Sequence, residues 1–312
     1  MNTSMHRREF LAAASLALAA PFQTLRAAEP SAQFPTDPAH RLSVSTYPFR
    51  SVIASPNRPQ ANKSGAPKMT LAQFAATVVE KFHVYGIEPW SAHFESPEPA
   101  FVHRLHQQFQ DAGIRVVNIP CDVRVQPCGT SEQKAATQES WQKWIEAAII
   151  LGSPSIRVHA AVAPGAPPDD IACAVESLKA IAAYGATKNI VINLENDNPK
   201  GENPERILKV IEAVNSPFLR SLPDFCNSMQ IHDDQEYNAD ALTKLFPHAF
   251  NISHCKDVEI VGGKELRVDM NRIFAIAKKA GYRGFFSMET EGSLDPYAGT
   301  SHLIAVAMKN LS

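Results

Sequence analysis

The sequence has no surplus of positive charge: 30 Lys and Arg against 32 Asp and Glu leave a formal −2 over 312 residues. That balance argues against a surface built for nucleic acid or anionic membrane. Cysteine is sparse, with Cys121, Cys128, Cys173, Cys226 and Cys255 at no paired or CxxC spacing. An odd number leaves at least one thiol free in an oxidising compartment, and a chain of this length needs no disulfide scaffold. After residue 28 no stretch approaches the 18 apolar residues that a membrane-spanning helix requires. A glycine-rich turn after the first strand is also missing, because Thr46-Tyr-Pro-Phe-Arg50 stands where a doubly wound nucleotide-binding sheet would carry one.

At the N-terminus, Arg7-Arg8-Glu9-Phe10-Leu11 precedes an uncharged Ala/Leu-rich run to Leu25, and Ala27-Ala28 offers a cleavage site. Residues 1–28 therefore read as an export signal, too short and too rich in small residues to span a bilayer stably. The paired arginines followed by Phe-Leu resemble a twin-arginine signal, which implies that the twin-arginine export machinery carries the protein already folded. Without those residues the chain has 27 basic and 31 acidic side chains, a net of −4. A soluble periplasmic protein is expected, with no nucleic-acid partner and no stable membrane insertion. Residues 29–40, with Pro30, Pro35 and Pro38, read as an extended arm, and residues 41–312 as one domain.

That domain alternates strand and helix eight times. The strands are expected at Leu42–Thr46, Gly86–Trp90, Ile114–Ile119, Ser155–His159, Ile190–Glu195, Phe218–Asp224, Phe250–His254 and Gly284–Glu289. Between them run helical stripes such as Leu71/Phe74/Val78, the last of them Leu303/Ile304/Ala307/Met308. Thr70 caps the first, Asn203-Pro204 opens the fifth, Asp169-Asp170 opens the fourth, and Gly113 and Gly152 close others. Asp257–Arg267, centred on Gly262-Gly263, reads as an inserted hairpin. Strict alternation calls for a parallel sheet with helical crossovers, and eight units in about 270 residues fit an α/β fold of the (β/α)8 TIM-barrel kind with its working residues on the C-terminal rim.

Four of the strands stop on side chains that bind metals: Glu195, Asp224, His254 and Glu289, about 30 residues apart. Parallel neighbouring strands bring all four to one end of one sheet. Carboxylate oxygens with one imidazole suit one divalent metal ion, Mn²⁺, Mg²⁺, Zn²⁺ or Co²⁺. Such an ion stabilises the enediolate formed when a proton leaves the carbon beside a sugar carbonyl. A ligating carboxylate on each side of the substrate is expected to take the proton and return it.

Leu-Glu-Asn at 194–196, Pro-Asp-Phe-Cys-Asn at 223–227, His-Cys-Lys-Asp at 254–257 and Ser-Met-Glu-Thr-Glu-Gly at 287–292 resemble the motifs of the sugar isomerase/epimerase family with xylose-isomerase-like TIM barrels. The opening Val-Ser-Thr-Tyr-Pro-Phe-Arg and the Gly-Ile-Glu of strand two are similar to it as well, so the resemblance covers roughly residues 41–310. It implies that Glu195 and Glu289 are both metal ligands and the acid/base pair, that Asp224 and His254 complete the ligands, and that Lys256 contacts a substrate oxygen. Some epimerases carry a histidine just after the strand-six aspartate. Here Asn227 stands instead, a hydrogen-bonding group without basicity.

Further substrate-binding candidates are His159 at the end of strand four, His93 past strand two, and Glu291, which alternation puts on the same face as Glu289. Asn196 is a candidate to orient a ligand carboxylate. Cys226 and Cys255 flank the ligands, and Tyr47, Phe49 and Trp90 are candidate ring faces for a sugar. The expected function is metal-dependent isomerisation or epimerisation of a neutral sugar or sugar derivative. Two alternatives remain: a lyase or hydrolase cleaving keto-glycosides through the same proton abstraction, and a non-catalytic sugar-binding protein. Oligomeric state is left open.

Overall fold

In the computed structural model residues 29–58, 68–123, 125–167, 169–292 and 294–312 are described. The export signal expected at 1–28 and residues 59–67 lie outside them. The described elements follow the expected alternation. Strands β1 (Leu42–Ser45), β2 (Gly86–Glu88), β3 (Arg115–Val116), β4 (Ile119–Pro120), β5 (Ser155–Arg157), β6 (Val191–Glu195), β7 (Leu219–Leu222) and β8 (Ile252–Cys255) precede a hairpin, β9 (Val258–Val261) and β10 (Lys264–Arg267), and β11 (Phe285–Met288) comes last. The helices are α1 (Leu71–Phe82), α2 (Pro99–Asp111), α3 (Ser131–Leu151), α4 (Ala172–Lys188), α5 (Pro204–Val214), α6 (Gln235–Leu245), α7 (Met270–Lys279) and α8 (Pro296–Leu311).

The expected third strand divides. β3 pairs with β2, and β4 pairs with β5, so the hydrogen-bonded order reads β3-β2-β1-β11-β8 and β4-β5-β6-β7, all parallel. β7 meets β8 at the bridges Ser221–Ala249 and Asp224–His254, which closes the ring. Asn118, at the break between β3 and β4, explains the division. Its amide donates to Glu88 Oε1 at 2.8 Å and accepts from Ser155 Oγ at 2.6 Å inside the barrel. Asn251 continues this polar column, donating to Val117 O and Ser155 Oγ, while its own oxygen accepts from Asn193. All these side chains are buried, so the barrel interior is held by hydrogen bonds where branched apolar layers are the more usual filling.

Local chemistry sets the helix ends. Thr70 and Gln73 form a reciprocal capping box at α1, Asn203 caps α5 ahead of Pro204, and Gly152 ends α3 in the left-handed conformation. α4 starts at Ala172, later than Asp169-Asp170 predicts, with Asp170 accepting from the Ala172 amide. Gly262 and Gly263 both take positive φ at the tip of the β9–β10 hairpin, as a two-residue turn requires.

The arm is not a free linker. Ser31 exchanges two 2.9 Å hydrogen bonds with Asn189 ahead of β6, and Phe34 packs on Val117, Leu222, Ile252 and Phe285. It thus covers the N-terminal end of the barrel, opposite the carboxyl ends of the strands.

Candidate metal centre and pocket

Glu195 is the last residue of β6, Asp224 follows β7 by two positions, His254 lies within β8, and Glu289 follows β11 directly. Because these strands are consecutive around the ring, the four side chains meet. Each offers a ligand atom within 4.8 Å of the others. Two bonds of roughly 2.1–2.4 Å to one ion allow separations up to about 4.2–4.8 Å. His254 Nδ1 faces Glu195 Oε1 at 2.8 Å, Glu289 Oε2 at 3.5 Å and Asp224 Oδ2 at 3.8 Å. Asp224 Oδ1 is taken by the amides of Cys226 and Asn227, which leaves Oδ2 for the cluster.

The other face of the imidazole is occupied by a residue the sequence reading passed over. Glu88, ending β2 and fully buried, lies 3.0 Å from His254 Nε2. Nε2–H therefore donates to Glu88 and Nδ1 is the nitrogen presented to the cluster, the carboxylate–histidine–metal arrangement that fixes a ligand's tautomer. Glu88 carries the same signal as the other four, an apolar strand stopping on a metal-binding side chain.

These residues fit a divalent cation. Four carboxylates converge on one imidazole, and the buried oxygens Glu195 Oε2 and Asp224 Oδ2 receive no hydrogen bond, which buried acceptors rarely lack. Arg157 Nε stands 3.1 Å from Glu195 Oε2 as an ion pair without hydrogen-bond alignment. The charges reflect the crowding. Burial opposes ionisation of Glu195, but the charges of His254 and Arg157 outweigh it and bring the group down to about 2. Burial pushes Asp224 up to about 8, and it likewise raises Glu289, with the Glu195 charge adding to both.

Above the cluster lies a pocket of about 180 Å³, below the roughly 300–1,000 Å³ of drug-sized sites and suited to one small polar molecule. Glu195 and Glu289 line it, whereas Asp224 and His254 are sealed beneath. Ser45 Oγ donates to Glu289 Oε2 at 3.1 Å, and Asn227 Nδ2 stands 3.3 Å from Glu195 Oε1. Tyr47 and Trp90 form an aromatic wall, their rings edge-to-face at 5.1 Å.

Several expected roles change. Lys256 lines the pocket, but its ammonium is taken by Asn227 Oδ1 at 2.8 Å and by Glu259 and Glu291, each at 2.6 Å. Its three donors are thus spent on the protein, and Glu291, expected to bind substrate, is its ion-pair partner. His93 does not reach the site. It is buried as the last residue of the short 3-10 turn Ser91–His93, with Nε2 toward Thr46 O and Nδ1 toward Ser55 Oγ and Ala54 O, and burial lowers it to about 4. Phe49 belongs to the core, its ring tilted against Phe74 and edge-to-face with Tyr297. Asn196 holds the backbone of Asp224, accepting from its amide at 2.7 Å and donating to its carbonyl at 3.1 Å. Cys226 and Cys255 are buried free thiols, and Cys128 pairs with Cys173.

His159 sits beside the pocket in a network that no sequence spacing announced. Asp122 Oδ1 meets both Arg157 Nη1 at 2.5 Å and His159 Nε2 at 2.8 Å, and Asp122 Oδ2 accepts from Trp90 Nε1. His159 Nδ1 lies 3.0 Å from Glu202 Oε2. Burial works against the imidazolium, as does Arg157, but Glu202 and Asp122 prevail and lift His159 to about 10. His159, Asp197 and Glu202 are close enough to suit an ion. Unlike His254, however, His159 also faces a cation, with Arg157 Nη1 at 2.8 Å from Nε2, and that positive charge opposes an ion there.

No curated protein matches the sequence. Solved structures resemble it over most of its length. A xylose isomerase-like TIM barrel protein from Mycobacterium smegmatis, in complex with magnesium, is 17% identical over 87% of this chain and 97% of its own, with a TM-score of 0.64. A probable 3-DHS dehydratase from Bacillus anthracis is 15% identical over 85% and 97%, at 0.61. A 3-keto-D-glucoside 4-epimerase from E. coli is 15% identical over 80% and 97%, at 0.59. At these identities the likeness is one of fold. The sequence model described as xylose isomerase-like TIM barrel matches residues 77–309, well over half of the chain. The chain belongs to the xylose isomerase-like TIM barrel family.

Proposed function

We propose that the protein is a metal-dependent enzyme that removes a proton beside the carbonyl of a neutral sugar or sugar derivative and returns it, isomerising or epimerising the substrate. One observation carries this reading. Of the four clustered side chains, the two glutamates line the pocket while Asp224 and His254 lie sealed beneath. Glu195, Asp224, His254 Nδ1 and Glu289 would hold the ion. When bound, it supplies positive charge opposite the carbonyl oxygen as the proton leaves. Glu195 and Glu289 stand at the two ends of an arc of four neighbouring strands and reach the pocket from either end of it. Ser45 and Asn227 orient these two carboxylates, and the Tyr47–Trp90 wall limits water around the reacting carbon.

The dehydratase among the similar structures supports a second reading in which the same proton removal ends in loss of a neighbouring substituent. Turnover of neutral keto-sugars and keto-glycosides in D₂O separates the two. Isomerisation or epimerisation leaves a carbon-bound deuterium and an intact glycoside, whereas elimination releases the leaving group. Chelation abolishes either activity and added Mn²⁺ or Mg²⁺ restores it. Glu289→Gln loses about 10²–10⁴-fold in kcat while retaining metal. Sugar binding without any turnover would instead favour the non-catalytic reading. We also assign the protein to the periplasm. The Arg-Arg leader pattern and the Cys128–Cys173 disulfide support this, and cell fractionation tests it.

A further inference from the structure

The pocket beside the metal cluster is rich in charge but almost none of it is uncommitted. Outside the cluster its charged lining residues are Asp122, Arg157, Asp197, Lys256, Glu259 and Glu291. Both cations are buried and taken: Arg157 by Asp122 and Glu195, Lys256 by Glu259 and Glu291. No side-chain cation is therefore left to receive a carboxylate or a phosphate away from the metal cluster. Asp122, Glu259 and Glu291 are engaged by those same two cations.

Asp197 differs. Its side chain is 39% exposed, and its nearest cationic atom is His159 Nδ1 at 3.9 Å, a nitrogen already 3.0 Å from Glu202. Gln230 Nε2 donates to the Asp197 backbone carbonyl at 3.1 Å and steadies the residue there. Among the described residues nothing donates a hydrogen bond to the Asp197 carboxylate itself. A carboxylate only accepts, through two oxygens, and an uncommitted one in a polar cleft matches a pair of hydroxyls.

We infer that Asp197 is a specificity-determining residue that receives two hydroxyls of the substrate, in the part of the molecule the metal does not hold, and that the substrate is an uncharged polyhydroxylated sugar. The inference rests on the reading of the pocket as a sugar site. A sugar acid or sugar phosphate fits that end of the pocket poorly, because neither of its side-chain cations is free to offset the charge.

The test uses the metal-loaded full protein and its Asp197→Asn and Asp197→Ala variants, with melting temperature and metal content confirming that each is folded and loaded. Calorimetry measures binding of a C6 sugar alcohol and of the matching aldonate, and KM and kcat are measured separately on a keto-sugar. Wild type is expected to prefer the alcohol. Asp197→Ala weakens alcohol binding about 10- to 100-fold, the loss of hydrogen bonds to a charged acceptor, and raises KM alike with kcat within about threefold. Asp197→Asn narrows the preference for alcohol over aldonate by about tenfold. Unchanged alcohol binding and an unchanged preference in both variants would overturn the inference. If wild type transforms sugars and both variants keep its KM, this inference falls and the enzyme reading stands. If alcohol binding depends on Asp197 but nothing is turned over, the inference stands and the enzyme reading falls.

Discussion

His254 joins two layers of carboxylates, Glu88 beneath it and Glu195, Asp224 and Glu289 around Nδ1. Removing the lower carboxylate leaves the ligand atoms in place but frees the tautomer, so Glu88→Gln is expected to weaken metal binding about 10- to 100-fold by competition titration. His93 gives a pH prediction. Its folded value is about 4, below the ordinary 6.5, so the unfolded chain binds the extra proton between these values. Its contribution is complete above about pH 6.5 and is lost as pH falls toward 4, amounting to about 3 kcal/mol. Urea unfolding at pH 7 and pH 4.5 should show a smaller pH dependence in His93→Gln than in wild type. The meeting of Glu195, Asp224, His254 and Glu289 is legible because each stands at the end of an apolar strand. Glu88 obeyed the same rule and was passed over. The fate of Lys256 is hidden for another reason: Glu259 is only three positions on but lies in a strand, not in a helix where that spacing would signal a pair, and Glu291 arrives from the loop after β11. His93 was misread because a 3-10 turn points its ring inward.

Among the elements, eight strand–helix units and the glycine-tipped hairpin could be read from periodicity and capping residues. The break between β3 and β4 could not, because it depends on Asn118 reaching Glu88 and Ser155 inside the closed ring. Nor could the pairing of Cys128 with Cys173 be read from spacing. That bond ties the loop that follows β4, which begins beside Asp122, to the first turn of α4, which follows the loop carrying His159. Replacing both cysteines by serine is expected to cost about 2–4 kcal/mol of stability for a crosslink spanning 45 residues. Denaturant unfolding of the double variant with and without reductant checks this. The reductant should destabilise wild type and leave the variant unchanged.

At the scale of the whole molecule, the two ends of the barrel are finished differently. The carboxyl ends of the strands gather the acidic cluster, while the other end is closed by the arm through Phe34, whose ring meets Phe250 at 5.4 Å and Phe285 at 6.1 Å. Phe34→Ala should lower stability by about 1–3 kcal/mol and leave metal affinity unchanged, since the two ends share no side chain. A thermal melt and a metal titration on the same sample show both. The central claim is that four distant side chains meet around one cation. Anomalous diffraction from crystals soaked in Mn²⁺ tests it most directly. The account predicts one peak within about 2.0–2.4 Å of Glu195, Asp224, His254 Nδ1 and Glu289. A peak among His159, Asp197 and Glu202, or none at millimolar Mn²⁺, would contradict it.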